Sequence, residues 1–105
     1  MSSTSGYRID APGVVLDHIR VLSLRAVRKG MLARLTSALR ELTEGLSADP
    51  VAWGDPLYFY PSLRMLLYQR ALGPIHVLYA VDETRRIVYL RQILAFPLGG
   101  LESVP

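Results

Sequence analysis

The stretch Gly73-Pro-Ile-His-Val-Leu-Tyr-Ala-Val-Asp-Glu-Thr-Arg-Arg-Ile-Val-Tyr-Leu-Arg91 decides the fold. Ile75, Val77, Tyr79 and Val81 alternate with His76, Leu78 and Ala80, the period-two pattern of a strand with two unlike faces. Asp82-Glu-Thr-Arg85 is a short polar turn, and a second extended run follows from Arg86 to Phe96. In it Val88, Leu90 and Leu94 alternate against Ile87, Tyr89, Arg91 and Ile93. Two such runs joined by so short a turn form an antiparallel hairpin.

Upstream, Leu72-Gly73-Pro74 is a turn, and the apolar stretch Arg64 to Arg70 is a third strand. Before it lies Val51-Ala-Trp-Gly-Asp-Pro-Leu-Tyr58, which reads as a connector, with Trp53 capping the edge of a core. The N-terminal half has a different period. Tyr7-Arg8-Ile9-Asp10 alternates like a short strand and breaks at Ala11-Pro12-Gly13. Val15, Ile19 and Leu22 then share one helical face. Ser23 is a candidate N-cap for a second helix. That helix carries Leu24, Val27, Met31, Leu35, Leu39, Leu42 and Leu46 as one stripe running through Gly30, and Ser47-Ala-Asp-Pro50 ends it. The expected domain is α+β with two layers: strand, helix, helix, strand, strand, strand, an antiparallel sheet packed against a helical hairpin. Its expected extent is residues 7–97, between an N-terminal tail at 1–6 and a C-terminal tail at 98–105.

The composition bounds what this domain can do. Its 105 residues fit one core, and 50% hydrophobic with 20% charged residues argues for a folded globule. With no cysteine there is no disulfide framework, thiolate metal site or cysteine nucleophile. No group has metal-ligand spacing, no glycine-rich phosphate loop or nucleophile elbow occurs, and no cofactor is expected. A basic n-region with an apolar h-region is absent from the start, and no apolar run approaches the roughly 20 residues of a membrane span, so a cytoplasmic protein without membrane contact is expected. The net charge of +3 comes almost wholly from arginine, whose planar fork suits phosphate and carboxylate.

The element order, the hairpin from Gly73 to Arg91 and the connector Asp49-Pro50-Val-Ala-Trp-Gly-Asp-Pro56 together resemble the RelE/ParE toxin family over about residues 7 to 96. In that family the hairpin has a glycine, a basic residue in an apolar strand ending in Tyr-x-Val, then Asp-Glu at the turn. The connector carries recurrent Asp-Pro and Gly-(Asp/Glu)-Pro pairs. The resemblance implies a toxin-like component of a type II toxin-antitoxin system with a cognate antitoxin as partner. RelE-like members cleave mRNA on the ribosome without a metal; ParE-like members inhibit DNA gyrase. The fold alone does not choose between them.

RNA cleavage needs a base, a cation for the phosphate and an acid. His76 occupies the position of the family's basic strand residue, and imidazole exchanges protons near neutral pH. Arg70 and Arg91 are candidates to neutralise a phosphate, making His76, Arg91 and Arg70 the candidate catalytic set. Arg64 and Arg86 would widen a basic patch, while Tyr68 and Tyr89 could stack on bases. The competing reading of each residue is a side chain that packs or solvates a sheet. No basic residue or tyrosine follows Arg91, whereas nuclease members carry both there, which favours a ParE-like inhibitor, a reduced nuclease or a non-enzymatic interaction module. A homodimer through an uncovered sheet face bearing Leu78, Leu90 and Leu94 is a further expectation.

Overall fold

The computed structural model describes residues 6–96, 100 and 101. Its elements are β1 (Arg8–Asp10), α1 (Gly13–Lys29), α2 (Leu32–Ala48), a single-turn α3 (Pro50–Trp53), β2 (Asp55–Tyr60), β3 (Met65–Leu72), β4 (Ile75–Asp82) and β5 (Ile87–Ala95). They form an α+β fold with one five-stranded sheet in the order β1-β5-β4-β3-β2. β2 to β5 are successive antiparallel neighbours, whereas β1 runs parallel to β5. The sheet is therefore mixed, not wholly antiparallel as expected. It also has one strand more than expected, because Asp55–Tyr60 is extended and paired with β3.

The helices divide at Gly30, not at Ser23. Gly30 takes φ 68° and ψ 27°, a left-handed conformation that glycine adopts without a Cβ penalty. Its N–H donates to Val27 O at 3.2 Å, and Met31 N–H donates to Ala26 O at 2.7 Å. These paired bonds form a Schellman C-cap, which satisfies carbonyls that a helix end would otherwise orphan. Ser23 lies inside α1 and returns its hydroxyl to Ile19 O at 2.9 Å. The break resets the phase of the stripe. α1 buries Val15, Leu22 and Ala26, with Ile19 partly buried, while Leu24 and Val27 face outward. α2 buries Leu35, Ala38, Leu42 and Leu46.

These helical residues meet Tyr68, Leu72, Ile75, Val77, Tyr79, Val81, Val88, Leu90 and Ile93 in one core on one face of the sheet. The β4 alternation read from the sequence is the one observed. That of β5 is not, because Leu78 pairs with Gln92 while Tyr79 pairs with Leu90, leaving Arg91 as the extra residue of a bulge. A bulge shifts parity by one residue. Ile93 therefore turns into the core, and Leu94 turns away from it. Leu101 is also fully buried, and Arg25 Nη1 donates to its carbonyl at 2.9 Å. This part of the expected C-terminal tail belongs to the core; residues 97–99 and 102–105 of that stretch, like 1–5 of the N-terminal one, lie outside the described residues.

Asp49 caps α3, its Oδ1 accepting from Ala52 N–H at 3.3 Å, with Pro50 in the first helical position, where no N–H is missed. Trp53 then lies against Gly45 of α2. A Cβ on Gly45 would stand 2.2 Å from Trp53 Nε1. Gly45→Ala is expected to destabilise the fold by about 1–3 kcal/mol through overpacking. Gly13→Ala, at a position with nothing within 4 Å of the new methyl, is expected to be neutral or to stabilise by up to about 1 kcal/mol. Denaturant midpoints of the two variants should move in these different ways.

Candidate functional site

The sheet has an inner face under the helices and an outer face that none of the described helices covers, and the candidate residues divide between them. Arg70 pairs across the ladder with the buried Val77, so it belongs to the inner face. Its Nη1 donates to Trp53 O, its guanidinium lies 4.6 Å from the centroid of the Trp53 ring, and its buried Nε has no hydrogen-bond partner among the described residues. This combination of cation–π contact and carbonyl bond commits Arg70 to holding α3 on the sheet. Tyr68 is buried in the same layer, stacked on Tyr79 with ring centroids 5.3 Å apart. It has no free face for a base, so the sequence-based stacking role is corrected to packing.

Tyr79 is fully buried and donates its phenol proton to Pro50 O at 2.6 Å. Burial pushes its pKa well above the ordinary tyrosine value, because the phenolate would lose its hydration; the Gly54 backbone amide opposes this in part. Tyr68 is also raised, mainly by burial and then by the negative charge of Glu83.

On the outer face, His76 of β4 stands between Ala71 of β3 and Leu94 of β5. One ring nitrogen, Nε2, is 3.2 Å from Gln69 Oε1. This contact orients the ring by a side-chain amide. Leu78 stands two residues further along β4, and a shallow depression of about 220 Å³ lies there between Tyr58, Tyr60, Leu67, Leu78, Arg91 and Gln92. The β5 bulge sends Arg91 and Gln92 out together, both exposed, and thereby delivers Arg91 to this hollow. His76 does not line it. Tyr89 is half-buried opposite Ala80. Among the described residues the outer face thus has Arg8 and Arg91, an amide-held histidine, two glutamines and three tyrosines, with Asp10 beside Arg8 on β1. It can offer hydrogen bonds and aromatic contact to a flat partner.

Arg64 and Arg86 sit at the turns at one end of the sheet, both with positive φ (55° and 57°). Arg86 lies 5.4 Å over the Tyr7 ring, and its carbonyl accepts from Arg8 N–H at 3.0 Å. A hollow of about 680 Å³ at this end is lined by Arg64 and Arg85 but also by Asp82 and Glu83. Its mixed signs give a polyanion no consistent attraction. The candidate nuclease set is therefore dispersed: Arg70 inside, His76 and Arg91 at separate points outside, Arg64 and Arg86 at a turn-bearing end. The sequence reading missed Gln69, Gln92, Tyr58 and Tyr60. Alternation in Leu57-Tyr-Phe-Tyr60 was the signal for the two tyrosines, and the flanking Pro56 and Pro61 obscured it. No group of three or more His, Asp or Glu able to hold a metal occurs among the described residues, and none of their helices is long and apolar enough to cross a membrane.

A scan against protein-family models finds no matching model, and a search among curated proteins finds no match.

The buried phenol has a pH consequence. Its folded-state pKa lies above the unfolded value near 10, so its contribution to stability is complete below about pH 10 and declines as pH rises beyond it. Stability measured by denaturant is expected to fall by up to about 1.4 kcal/mol per pH unit there for this one group. Tyr79→Phe should weaken that slope, leaving the part due to Tyr68. It should also cost about 1–3 kcal/mol at neutral pH, since Pro50 O loses its donor.

Proposed function

We propose that this chain is a toxin-like protein of the RelE/ParE type that acts by holding a protein partner, with a cognate antitoxin as its first ligand. The carrying observation is that α1 is apolar on two sides. One side, with Val15, Leu22 and Ala26, enters the core; the other exposes Val14, Leu16, Val21, Leu24 and Val27 to solvent. Exposed apolar side chains gathered along one side of a helix, here interspersed with Asp17, Arg20 and Arg28, suit an interaction face. Exposed charge around it is mostly basic, Arg20 and Arg28 against Asp17, and Asp17 is paired with Arg20 at 3.1 Å. An amphipathic segment with an acidic rim would suit it by helix-to-groove contact and charge.

Dispersal of His76, Arg91 and Arg70 supports a binding role over RNA cleavage. Action through a protein target, as in ParE-like gyrase inhibitors, fits such a surface better than catalysis on mRNA. The sheet order and the hairpin motif support the family reading, which this proposal takes as its premise.

Inducible expression with transcript mapping tests it. Growth should slow, transcripts should stay full-length, and co-expression of the small reading frame beside the gene should restore growth. Leu24→Glu with Val27→Glu should weaken capture of that frame's product about ten-fold or more while leaving the circular dichroism spectrum intact. Cleaved transcripts that become intact in His76→Ala would replace this reading with the nuclease one. A neighbouring frame whose product does not bind would remove the antitoxin.

A further inference from the structure

We propose that β2 is a self-pairing edge through which two copies of the chain join their sheets into one. The inference is independent of the toxin-like reading. Among the described residues β2 ends the strand order and pairs with β3 alone, so its other side presents backbone N–H and C=O groups that no strand there covers. Native edge strands are usually blunted with charge, proline, a bulge or cover. β2 has Pro56, a register shift between Pro56 and Tyr58, and Pro61 just beyond its end, but no charge between the prolines. Here residues 56–63, Pro-Leu-Tyr-Phe-Tyr-Pro-Ser-Leu, contain no charged side chain, and five of the six residues of β2 are exposed. Pro56 and Pro61 limit the ladder to the four residues between them, since proline has no N–H to give.

The apolar exposure lies on both flanks of the strand. Phe59 shares the inner side with Leu66, its ladder partner, whereas Tyr58 and Tyr60 share the outer side with Leu67 and Leu78. A partner docking on one face would leave the other flank wet. Only a strand laid alongside covers both at once.

The sequence of the edge selects a second copy as that strand. An antiparallel two-fold pairing centred on Phe59 sets Phe59 opposite the partner's Phe59 and Tyr58 opposite the partner's Tyr60. Aromatic cross-strand pairs of this kind stabilise sheets. The only acid of the strand, Asp55, lies before Pro56 and so outside the ladder. No like charges meet within the ladder. A two-fold axis normal to the sheet puts both helical layers on one side, and they stay apart there because α1 packs over β5 and α2 against β1, at the other end of the strand order from β2.

The area is small but sufficient for a weak dimer. Leu57, Tyr58, Phe59, Leu63 and Leu66 are 41%, 50%, 53%, 40% and 38% exposed. At roughly 200 Å² per side chain, two copies could bury about 900 Å² from these residues alone, near the low end of specific interfaces once backbone is added. Affinity is expected on the order of tens of micromolar.

Sedimentation equilibrium of the full chain at concentrations bracketing that value tests the proposal. The wild type should be a monomer–dimer mixture, and Phe59→Lys should raise the dissociation constant about ten-fold or more by placing two ammonium groups on the axis. Phe59→Glu alone should do the same. An equal mixture of F59K and F59E should recover dimer, which shows that both variants fold. A wild type that stays monomeric at the highest soluble concentration would overturn the proposal. So would a dimer that survives Phe59→Lys but is lost in Leu24→Glu, since that would place the contact on α1.

Discussion

The buried phenol of Tyr79 is the point at which sheet, helices and connector are joined. It is fully buried in the central strand β4, it bonds Pro50 O, and it packs between Tyr68 and the neighbourhood of Trp53. Trp53 in turn leans on Gly45 of α2 and carries Arg70 on its face. Each contact needs the others. The phenol requires an acceptor because an unpaired hydroxyl in the core would cost about 1–3 kcal/mol. The acceptor exists because Asp49 and Pro50 form a one-turn helix at that place. The helix is seated because Gly45 leaves room for an indole. The start of β2 is delivered from this knot.

Covering the inner face determines where anything can bind. α1 and α2 lie on one side of the sheet, so side chains of the opposite parity are left free of these helices. Arg70 has the parity of the core, and its charge is spent on Trp53 rather than on a ligand. His76 has the opposite parity. The bulge at Arg91 leaves that charge outward, turns Gln92 outward beside it and turns Ile93 inward, so a single irregularity sets both the core and the candidate site. It also corrects the apolar interface expected from Leu78, Leu90 and Leu94: Leu90 is core, and only the other two look outward. The exposed apolar surface that does exist is on α1 and around β2, two separate regions that suit two different partners.

Much of the architecture is legible in the sequence. The β4 alternation, the β4–β5 turn, the α1 positions Val15, Ile19 and Leu22, and the end of the second helix all rest on local periodicity or on proline. The errors have physical causes as well. The leucine stripe persisted arithmetically through Gly30 because spacings of three and four occur by chance on either side of a helix break; the left-handed cap showed only once Met31 N–H was seen to reach Ala26 O. β2 was hidden by Pro56 and Pro61, which read as loop residues but are tolerated at a sheet edge.

By itself, the sequence determined two helical segments, the strand hairpin after Gly73, a single cysteine-free core and an arginine-borne positive charge. These follow from side-chain period, turn chemistry and composition, all local properties of the chain. Only the tertiary structure decided that Arg70 and His76 lie on opposite faces, that Arg91 rides a bulge, that Leu101 closes the core and that β2 stands uncovered. Those facts depend on register and on which face the helices cover, and a one-residue change in pairing reverses the direction of every side chain beyond it.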